Sequence, residues 1–328
     1  MTVTVIPRRR GPHLRLLDVG QDLGEVADLL ETAFGAEMDE SGLRMLRELR
    51  RMAWMSRFLG RWLGIPIGWG TSIIAFVWEE EGRIVGHAMA MRMDYAGVRW
   101  QISNVAVAPA YRGRGIGRAL METTLEELRR RRARWAVLQV RVNNPPAVHL
   151  YRSLGFETVG GEIHWERHGW PRPENLLDAP RLPFTPLKFT RNPELRQLIQ
   201  RSLSDPGRWW YLNAHVQPPE PPGAWLRRLL GWRRSEAWGY REKGRLVAHV
   251  GFTYDRWTDR GTLGLHVDRA HWGQLEAALV AWAQERAARV GVSHLFTHTE
   301  LEYSAMTEAL EQAGFDARHR LFNMRLAL

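Results

Sequence analysis

Three glycines alternate with larger residues in the run Arg112-Gly113-Arg114-Gly115-Ile116-Gly117, a spacing that can bind an anion. The run follows a short β-prone segment and opens a stretch with helical periodicity from about 115 to 132. The first N–H groups of a helix have no intrahelical partner and lie at the positive end of its dipole. Glycine lets that backbone approach phosphate oxygens closely. Taken alone, the run is equally consistent with phosphate binding and with a plain turn.

A second group of residues lies in and around the next predicted helix: Asn144, Ala147, Tyr151, Gly155 and Phe156. With Arg112, Gly115 and Gly117 of the first group, these residues resemble two motifs of the GCN5-related N-acetyltransferase (GNAT) family. The motifs are Gln/Arg-x-x-Gly-x-Gly/Ala and, after it, Asn-x-x-Ala-x-x-x-Tyr-x-x-x-Gly-Phe. Chance is a poor explanation for two motifs in the family's order.

The resemblance implies an α/β fold with a mixed sheet, the GNAT fold, and acetyl-CoA as co-substrate with no metal. In the family, backbone N–H groups after the fourth strand bind the pyrophosphate, and that strand splays from the next one to bind the pantetheine arm. The N–H of Val105 is expected to polarise the thioester carbonyl. The expected cofactor-binding residues are Val105, Ala106, Val107, Arg112, Gly113, Arg114, Gly115, Ile116, Gly117, Arg118, Asn144 and Tyr151.

Tyr151 and Val105 are the expected catalytic residues. A phenol is neutral at pH 7 and can donate a proton to the leaving CoA thiolate, so the resemblance assigns Tyr151 as general acid. The alternative is that its ring only packs on the sheet. Asn144 is expected to hydrogen-bond the pantetheine arm or to orient Tyr151. The alternative is that it caps the helix that follows it.

The general base is not evident. Some family members carry a glutamate near the position of Gln101, and glutamine cannot usefully accept a proton. Ser103, Asn104 and His87 can each hold a relay water, and His87 alone among them ionises. A single histidine in a strand is more often structural than a base.

Composition limits the classes of function. The chain has 328 residues, 46 basic and 36 acidic, with a net charge of +10 and no cysteine. This excludes disulfides, thiolate catalysis and cysteine-ligated zinc, and the basic balance favours an anionic ligand. His294 and His298 have i, i+4 spacing but lie in a predicted strand, so we expect no zinc. The arginines of 129–134 end a helix, where they offset its dipole, and we predict no nucleic-acid partner.

The order of predicted elements is that of the GNAT layout. They are a strand at Leu14–Leu17, a helix from Asp22 as cap to about Phe34, a helix over about 40–63, strands at 72–78, 84–93 and 98–107, the motif helix, a strand at 135–142, a helix at 145–154 and a strand from Phe156.

The uncharged run Trp62–Trp78 raises the question of a membrane span. It is short for a span and is interrupted by Pro66 and by glycines. We predict instead an apolar loop followed by a buried strand near Ser72–Trp78. The basic start, Met1–Arg10, lacks the apolar core of a secretory signal. These features predict a cytoplasmic protein without a membrane span.

The pattern repeats along the chain. The prediction is a GNAT domain at 1–168, a linker rich in proline and arginine at 169–186, and a second, degenerate GNAT-like domain at 187–328. Its predicted elements are a strand at 187–189, a helix at 193–203, a hairpin at 238–254, a strand at 264–267 and a helix at about 274–289. Its turn, 268–276, lacks the glycine motif and is expected to be one residue shorter than the turn of the first copy. Leu310 stands in the place of Tyr151, and Glu276 is expected to repel a pyrophosphate.

The sequence therefore predicts an N-acetyltransferase that moves an acetyl group from acetyl-CoA to a primary amine by direct attack, active in its first copy. The acceptor would be a small molecule or a peptide, and a homodimer is one expected assembly. The alternative is a non-catalytic pair of GNAT domains that senses acetyl-CoA or binds a partner protein.

Overall fold

The computed structural model describes residues 13–35, 40–63, 72–94, 96–170, 179–188, 192–214, 233–255 and 258–328. The chain divides into two compact units. The first contains Met1–Leu138, Leu150–Phe156 and Arg325–Leu328, and the second contains Gln139–His149 and Glu157–Met324. The predicted domain boundaries stay a prediction.

The described residues form both helices and strands. The helices are α1 (Leu23–Phe34), α2 (Glu40–Leu63), α3 (Ile116–Arg130), α4 (Pro145–Ser153), α5 (Pro193–Ser202), α6 (Asp205–Ala214), α7 (Glu276–Val290) and α8 (Ser304–Gln312). The strands are β1 (Leu14–Leu16), β2 (Ile73–Glu80), β3 (Arg83–Arg92), β4 (Arg99–Val107), β5 (Trp135–Arg141), β6 (Glu157–Arg167), β7 (Thr185–Pro186), β8 (Arg233–Glu242), β9 (Arg245–Asp255), β10 (Arg260–Val267), β11 (His294–Glu300) and β12 (Asp316–Ala327).

The sheet of the first unit is mixed. Strands β1, β2, β3 and β4 pair antiparallel in that order, and β5 joins β4 in parallel. A parallel pair needs a long crossover, and α3 provides it between β4 and β5. This is the α/β arrangement with a mixed sheet that the sequence predicts.

Helices cover both faces of this sheet, as β2 shows. Phe76 and Val77 are consecutive and therefore point to opposite faces. Val77 packs with Val26 of α1 and Leu46 of α2, whereas Phe76 packs with Ile116 of α3. The prediction of a buried strand here is confirmed, and the apolar loop before it lies outside the described residues.

Strand β3 approaches α3 closely at Gly86. A Cβ on this residue would lie 2.9 Å from Ile116 Cγ2 and 3.0 Å from Leu120 Cδ1. Gly86 also pairs with Val107, the last residue of β4. This contact therefore fixes the start of α3 beside the end of β4.

The second unit repeats the arrangement. Its strands follow the order β12-β6-β11-β10-β9-β8-β7. Strands β8, β9 and β10 pair antiparallel, and β11 joins β10 in parallel after the crossover helix α7. Val250 and Phe252 of β9 pack with Leu279 of α7 and Leu295 of β11 in its core. The predicted internal repeat is confirmed.

Most predicted helices correspond to observed ones within the uncertainty of helix ends. The sequence did not predict α6. The strand expected at 187–189 is instead β7 at Thr185–Pro186, inside the predicted linker. Phe189 and residues 171–178 lie outside the described residues.

The position of Asp22 predicts that its side chain caps α1, but it makes no such hydrogen bond. Its carboxylate instead accepts hydrogen bonds from two nitrogens of the Arg15 guanidinium, at 2.5 and 3.0 Å, and from the Asp18 N–H at 2.6 Å. The hydrogen bond with Asp22 raises the pKa of Arg15 above its usual value. Asp22 therefore ties the end of β1 to the start of α1.

Candidate functional site

The turn between β4 and α3 contains the predicted anion-binding residues. The chain makes a short 3₁₀ turn at Pro109–Tyr111. Gly113 and Gly115 then adopt left-handed conformations, with φ of 78° and 81°. Glycine takes this conformation without the steric cost that other residues meet. A Cβ on either glycine would meet no atom within 4 Å, so the space beside this backbone is open.

The start of α3 leaves several backbone donors available. The helix has no capping side chain and no acidic residue in its first turn. The Ala119 N–H donates to the Gly115 carbonyl at 3.0 Å, as in a regular helix. The N–H groups of Ile116, Gly117 and Arg118 precede that bond and have no intrahelical acceptor. The positive end of the helix dipole lies at the same place.

Three exposed arginines surround this turn, each held by a neighbour. Arg112 Nε donates to the carbonyl that ends β4, at 3.1 Å. The Arg114 guanidinium lies over the Tyr111 ring, 4.8 Å from its centroid. Arg118 donates to the Ser153 hydroxyl at 2.5 Å. Their charge adds to that of the helix dipole, so the turn is suited to an anion.

Helix α4 lies beside the same turn. A Cβ on Gly117 would lie 3.6 Å from Leu150 Cδ2 and 3.7 Å from Val107 Cγ2, both ordinary contacts. The arginine contact with Ser153 joins the same two helices. The structure thus brings together the turn, the end of β4 and the helix that contains Tyr151.

Tyr151 is a buried residue whose phenol is protonated at neutral pH. It is 7% exposed, and its ring meets Phe156 edge-on with centroids 6.0 Å apart. Burial raises the pKa of its phenol to about 12. The hydroxyl therefore keeps its proton throughout the neutral pH range.

Strand β4 contains a β-bulge. Asn104 and Val105 both lie opposite the single residue Ala88, where the pairing with β3 shifts register. Asn104 takes a left-handed conformation, with φ of 54°. In the described part of the first unit, the parallel ladder between β4 and β5 ends at Ile102, so β5 does not pair with the segment 103–107.

Asn144 caps α4. Its Oδ1 accepts a hydrogen bond from the Ala147 N–H at 3.2 Å. The capping alternative is therefore correct, and a contact with the pantetheine arm stays a prediction.

His87 is poorly placed to act as a base. It is 1% exposed, and burial lowers its pKa to about 4. Gln101 and Ser103 are half-buried and do not ionise. Of the candidates that the sequence offers, the only ionisable one is therefore neutral and enclosed at pH 7.

The turn of the second unit has the same length as the first, contrary to the sequence prediction. The N–H of Arg112 donates to the Pro109 carbonyl, and that of Trp272 donates to the Arg269 carbonyl, both at 3.3 Å. Trp272 therefore stands in the place of Arg112. The residue that the second copy lacks is the one that forms the bulge, because β10 pairs with β9 without a register shift.

A carboxylate occupies the second turn. Glu276, the first residue of α7, accepts the N–H of Gly273 at 3.0 Å and that of Leu275 at 3.1 Å. The Tyr303 hydroxyl donates to the same carboxylate at 2.5 Å, and the Tyr303 ring stacks on Trp272 with centroids 3.8 Å apart. Glu276 thus bonds to the N–H groups themselves, a more direct effect than the repulsion that the sequence suggested.

The sequence analysis did not predict the hydrogen bond of Tyr303 to Glu276, although the position of Tyr303 can be found by aligning the two copies. Both copies end their last helix with Gly-Phe, at Gly155-Phe156 and Gly314-Phe315. An alignment on these pairs places Tyr303 opposite Asn144. The helix-capping residue of the first copy is thereby replaced with an aromatic donor.

The described residues show neither a membrane span nor a metal site. None of their helices combines the length and the apolarity that a bilayer crossing requires. Within the same ranges, no three His, Asp or Glu side chains are placed to hold a metal ion.

Comparison with known families decides the classification. The model of the acetyltransferase (GNAT) family matches residues 43–156 and again residues 203–315, more than half of the chain. The chain belongs to the GNAT family. Members of this family use acetyl-CoA, and the two matches correspond to the two copies of the fold.

Three relatives each match less than half of this chain. The [ribosomal protein bS18]-alanine N-acetyltransferase of Escherichia coli (strain K12) is 40% identical over 111 residues, which cover 34% of this chain and 70% of that enzyme. The mycothiol acetyltransferase of Saccharomonospora viridis is 29% identical over 166 residues, 47% of this chain and 49% of that enzyme. The chain spans 52%, about half, of the length of a Bacillus subtilis relative to which it is 36% identical over 83 residues.

Solved structures resemble both copies of this GNAT chain. A GCN5-related N-acetyltransferase from Sphaerobacter thermophilus has a TM-score of 0.61 at 17% identity, and the match covers 96% of this chain and 95% of that one. A tandem GNAT protein from the clavulanic acid biosynthesis pathway has a TM-score of 0.56 at 18% identity, covering 96% and 98%. At these identities the likeness shows the fold alone.

The contact between Tyr303 and Glu276 is expected to stabilise the second copy. In Tyr303→Phe the buried carboxylate loses a donor, which should lower the free energy of unfolding by about 1.5–3 kcal/mol. Burial and then Glu276 raise the pKa of Tyr303 above its ordinary value of 10. A raised pKa in the folded state means that this stability is present below the ordinary pKa and is lost as pH rises above it. The difference from wild type in urea denaturation should therefore shrink between pH 7 and about pH 11.

Tyr254→Phe is the matched control. The Tyr254 hydroxyl donates to Glu236 at 3.0 Å, but that carboxylate is less buried and also accepts two hydrogen bonds from Arg286. We expect a smaller loss there. Equal losses in the two variants would show that the bond of Tyr303 to Glu276 contributes no more to stability than the bond of Tyr254 to the less buried Glu236.

Proposed function

We propose that this chain transfers the acetyl group of acetyl-CoA to a primary amine, at one site per chain, in its first copy. The observation that carries the proposal is the contrast between the two turns. In the second copy the Glu276 carboxylate marks where an anion binds in this turn. The equivalent N–H groups of the first copy belong to Gly113 and Gly115, and Ile116 replaces the carboxylate. The first turn thus keeps the donors and lacks the internal acceptor.

Acetyl-CoA supplies an acetyl thioester. The amine nitrogen attacks the carbonyl carbon, the carbon–sulfur bond breaks, sulfur leaves with the electron pair, and the nitrogen loses a proton. Tyr151 acts on the departing sulfur. Its pKa of about 12 lies above that of an ordinary thiol, about 8.5. We therefore assign Tyr151 a hydrogen bond to the developing thiolate. Burial raises the pKa of the sulfur, so the proton of Tyr151 then moves to it, and the phenolate recovers a proton from water.

The backbone of β4 acts on the carbonyl. The Val105 N–H donates to the thioester oxygen, a bond that strengthens as negative charge develops there. The amine proton leaves through water, because His87 is enclosed and its pKa, lowered to about 4 by burial, makes it a weak base. In this scheme the chain contributes positioning and hydrogen bonds, and no side chain becomes covalently modified.

The acceptor is a peptide or small-molecule amine. Since the Escherichia coli relative is named for acetylating the alanine of a ribosomal protein, a peptide with an amino-terminal alanine is the first acceptor to test. A small amine is the second, because the Saccharomonospora viridis relative is named for mycothiol. We retain the division into domains at 1–168 and 187–328, a cytoplasmic location and a homodimer as predictions.

A second function is a non-catalytic acetyl-CoA sensor. Two observations favour it. Gln101 stands where some family members carry a glutamate, and His87 is enclosed. The protonated Tyr151 beside the turn favours catalysis.

Gly117→Glu tests the cofactor site. A carboxylate at this position would face the bound phosphates, and we expect the dissociation constant for CoA to rise at least ~10-fold, equivalent to about 1.4 kcal/mol. A Cβ here makes only ordinary contacts, so the variant should fold. Calorimetry measures the affinity, and Ala277→Glu, the equivalent change in the second copy, is the control that should bind like wild type. Unchanged affinity in Gly117→Glu would refute the site.

Tyr151→Phe tests catalysis. The ring and its packing remain, so stability and CoA affinity should stay near those of wild type, whereas kcat should fall by about 10²–10³. The assay follows thiol release from acetyl-CoA with a panel of amines that includes the alanine peptide. An unchanged kcat would remove Tyr151 from its role. Intact CoA binding with no turnover on any amine would favour the sensor.

A further inference from the structure

The bulge in β4 is tied to a buried histidine of β3. His87 Nδ1 lies 2.8 Å from the Asn104 carbonyl oxygen. A carbonyl oxygen can only accept, so Nδ1 must carry the proton and donate it. The Asn104 carbonyl and the Val105 N–H belong to one peptide group, which is planar and trans, so they point in opposite directions. Fixing the carbonyl therefore fixes the direction of the N–H.

The surroundings of His87 hold it in one protonation state. It is 1% exposed, and its partners across the ladder and along the strand, Ala106 and Ala88, are buried with it. Among the described residues, its Nε2 has no hydrogen-bond partner. Desolvation lowers its pKa to about 4, although the bond to Asn104 opposes this shift. The ring is thus a neutral donor with its proton on Nδ1.

The second copy also has a buried histidine at this position, but without a hydrogen bond to a peptide carbonyl in the part of the chain that the structure describes. His249 is the equivalent residue on β9, since the Ala108 N–H donates to Val85 and the Asp268 N–H to Val247, each two residues before the histidine. It is 4% exposed, and burial lowers its pKa to about 4 as well. Its Nδ1 faces His266 Nδ1 at 3.4 Å. Both copies bury a histidine here, and the one beside the bulge bonds to a peptide group.

We propose that His87 is a positioning residue that holds the Asn104–Val105 peptide so that the Val105 N–H points at the thioester oxygen. The inference rests on the proposed acetyl transfer. Asn104 has a left-handed φ, a conformation that few residues other than glycine adopt, and the His87 bond holds the peptide in it. A hydrogen bond at a peptide carbonyl also polarises the N–H of the same group.

Two substitutions separate the hydrogen bond from the volume of the ring. His87→Asn places an amide nitrogen near the position of Nδ1 and can still donate to the carbonyl. His87→Leu fills the space without a donor. We expect kcat to fall ~10- to 100-fold in His87→Leu, and His87→Asn to recover most of it. Affinity for CoA should stay within ~3-fold of wild type in both variants, because CoA lacks the acetyl carbonyl. A fall in CoA affinity that parallels kcat would show a general disruption and overturn the proposal.

A spectroscopic measurement keeps the test independent of turnover. Isotope-edited infrared spectroscopy of bound [1-¹³C]acetyl-CoA reports how strongly the thioester carbonyl is polarised. Wild type and His87→Asn should lower its stretching frequency relative to solution, and His87→Leu should lose that shift. The same shift in His87→Leu as in wild type would overturn the proposal. A His87-dependent shift without turnover on any amine would sink the proposed catalysis and leave the positioning role standing.

Discussion

The backbone N–H groups at the start of a helix need acceptors, and the two copies in this chain meet this requirement in different ways. In the second copy Glu276 bonds to the N–H groups of its own turn, and Tyr303 holds the carboxylate in place. In the first copy the helix begins without a capping side chain, behind two left-handed glycines with open space beside them. The first turn is therefore suited to an external anion, and the second is satisfied internally.

The bulge in β4 is a second difference between the two copies. It lies at Asn104 and Val105, where the pairing of β3 with β4 shifts register, whereas β9 and β10 pair without a shift. The bulge twists the strand, and the pairing with β5 ends before it. One extra residue in one strand thus distinguishes the two copies as clearly as the turn does. Tyr151 and its counterpart Leu310 are the third difference between them.

Much of the fold could be predicted from the sequence. Apolar periodicity predicted the helices because each packs on a sheet face. The uncharged run predicted β2 as a buried strand, and Phe76 and Val77 are indeed buried on its opposite faces. The glycine motif located the turn because a left-handed φ limits which residues fit there. Asp22 was misjudged because a cap and an ion pair compete for one carboxylate, and Arg15 on β1 meets Asp22 only in the folded chain.

The bulge, the bond of His87 and the hydrogen bonds of Glu276 to the second turn could not be predicted. Each depends on which atoms meet across strands or between a helix and a loop, and local pattern does not encode this. The error about the second turn has the same origin. A missing residue was evident in the sequence, but its place in the strand rather than the turn appears only once the pairing of β9 and β10 is known.

We propose that each chain has one site for a CoA pyrophosphate, the open turn of the first copy. A crystal structure of the chain with CoA tests it most directly. We predict one CoA per chain, with its pyrophosphate on the N–H groups of Gly113, Gly115 and Gly117, and Glu276 still bonded to Gly273 and Leu275. A CoA in the second turn with Glu276 displaced, or a pyrophosphate away from 112–118, would contradict the account.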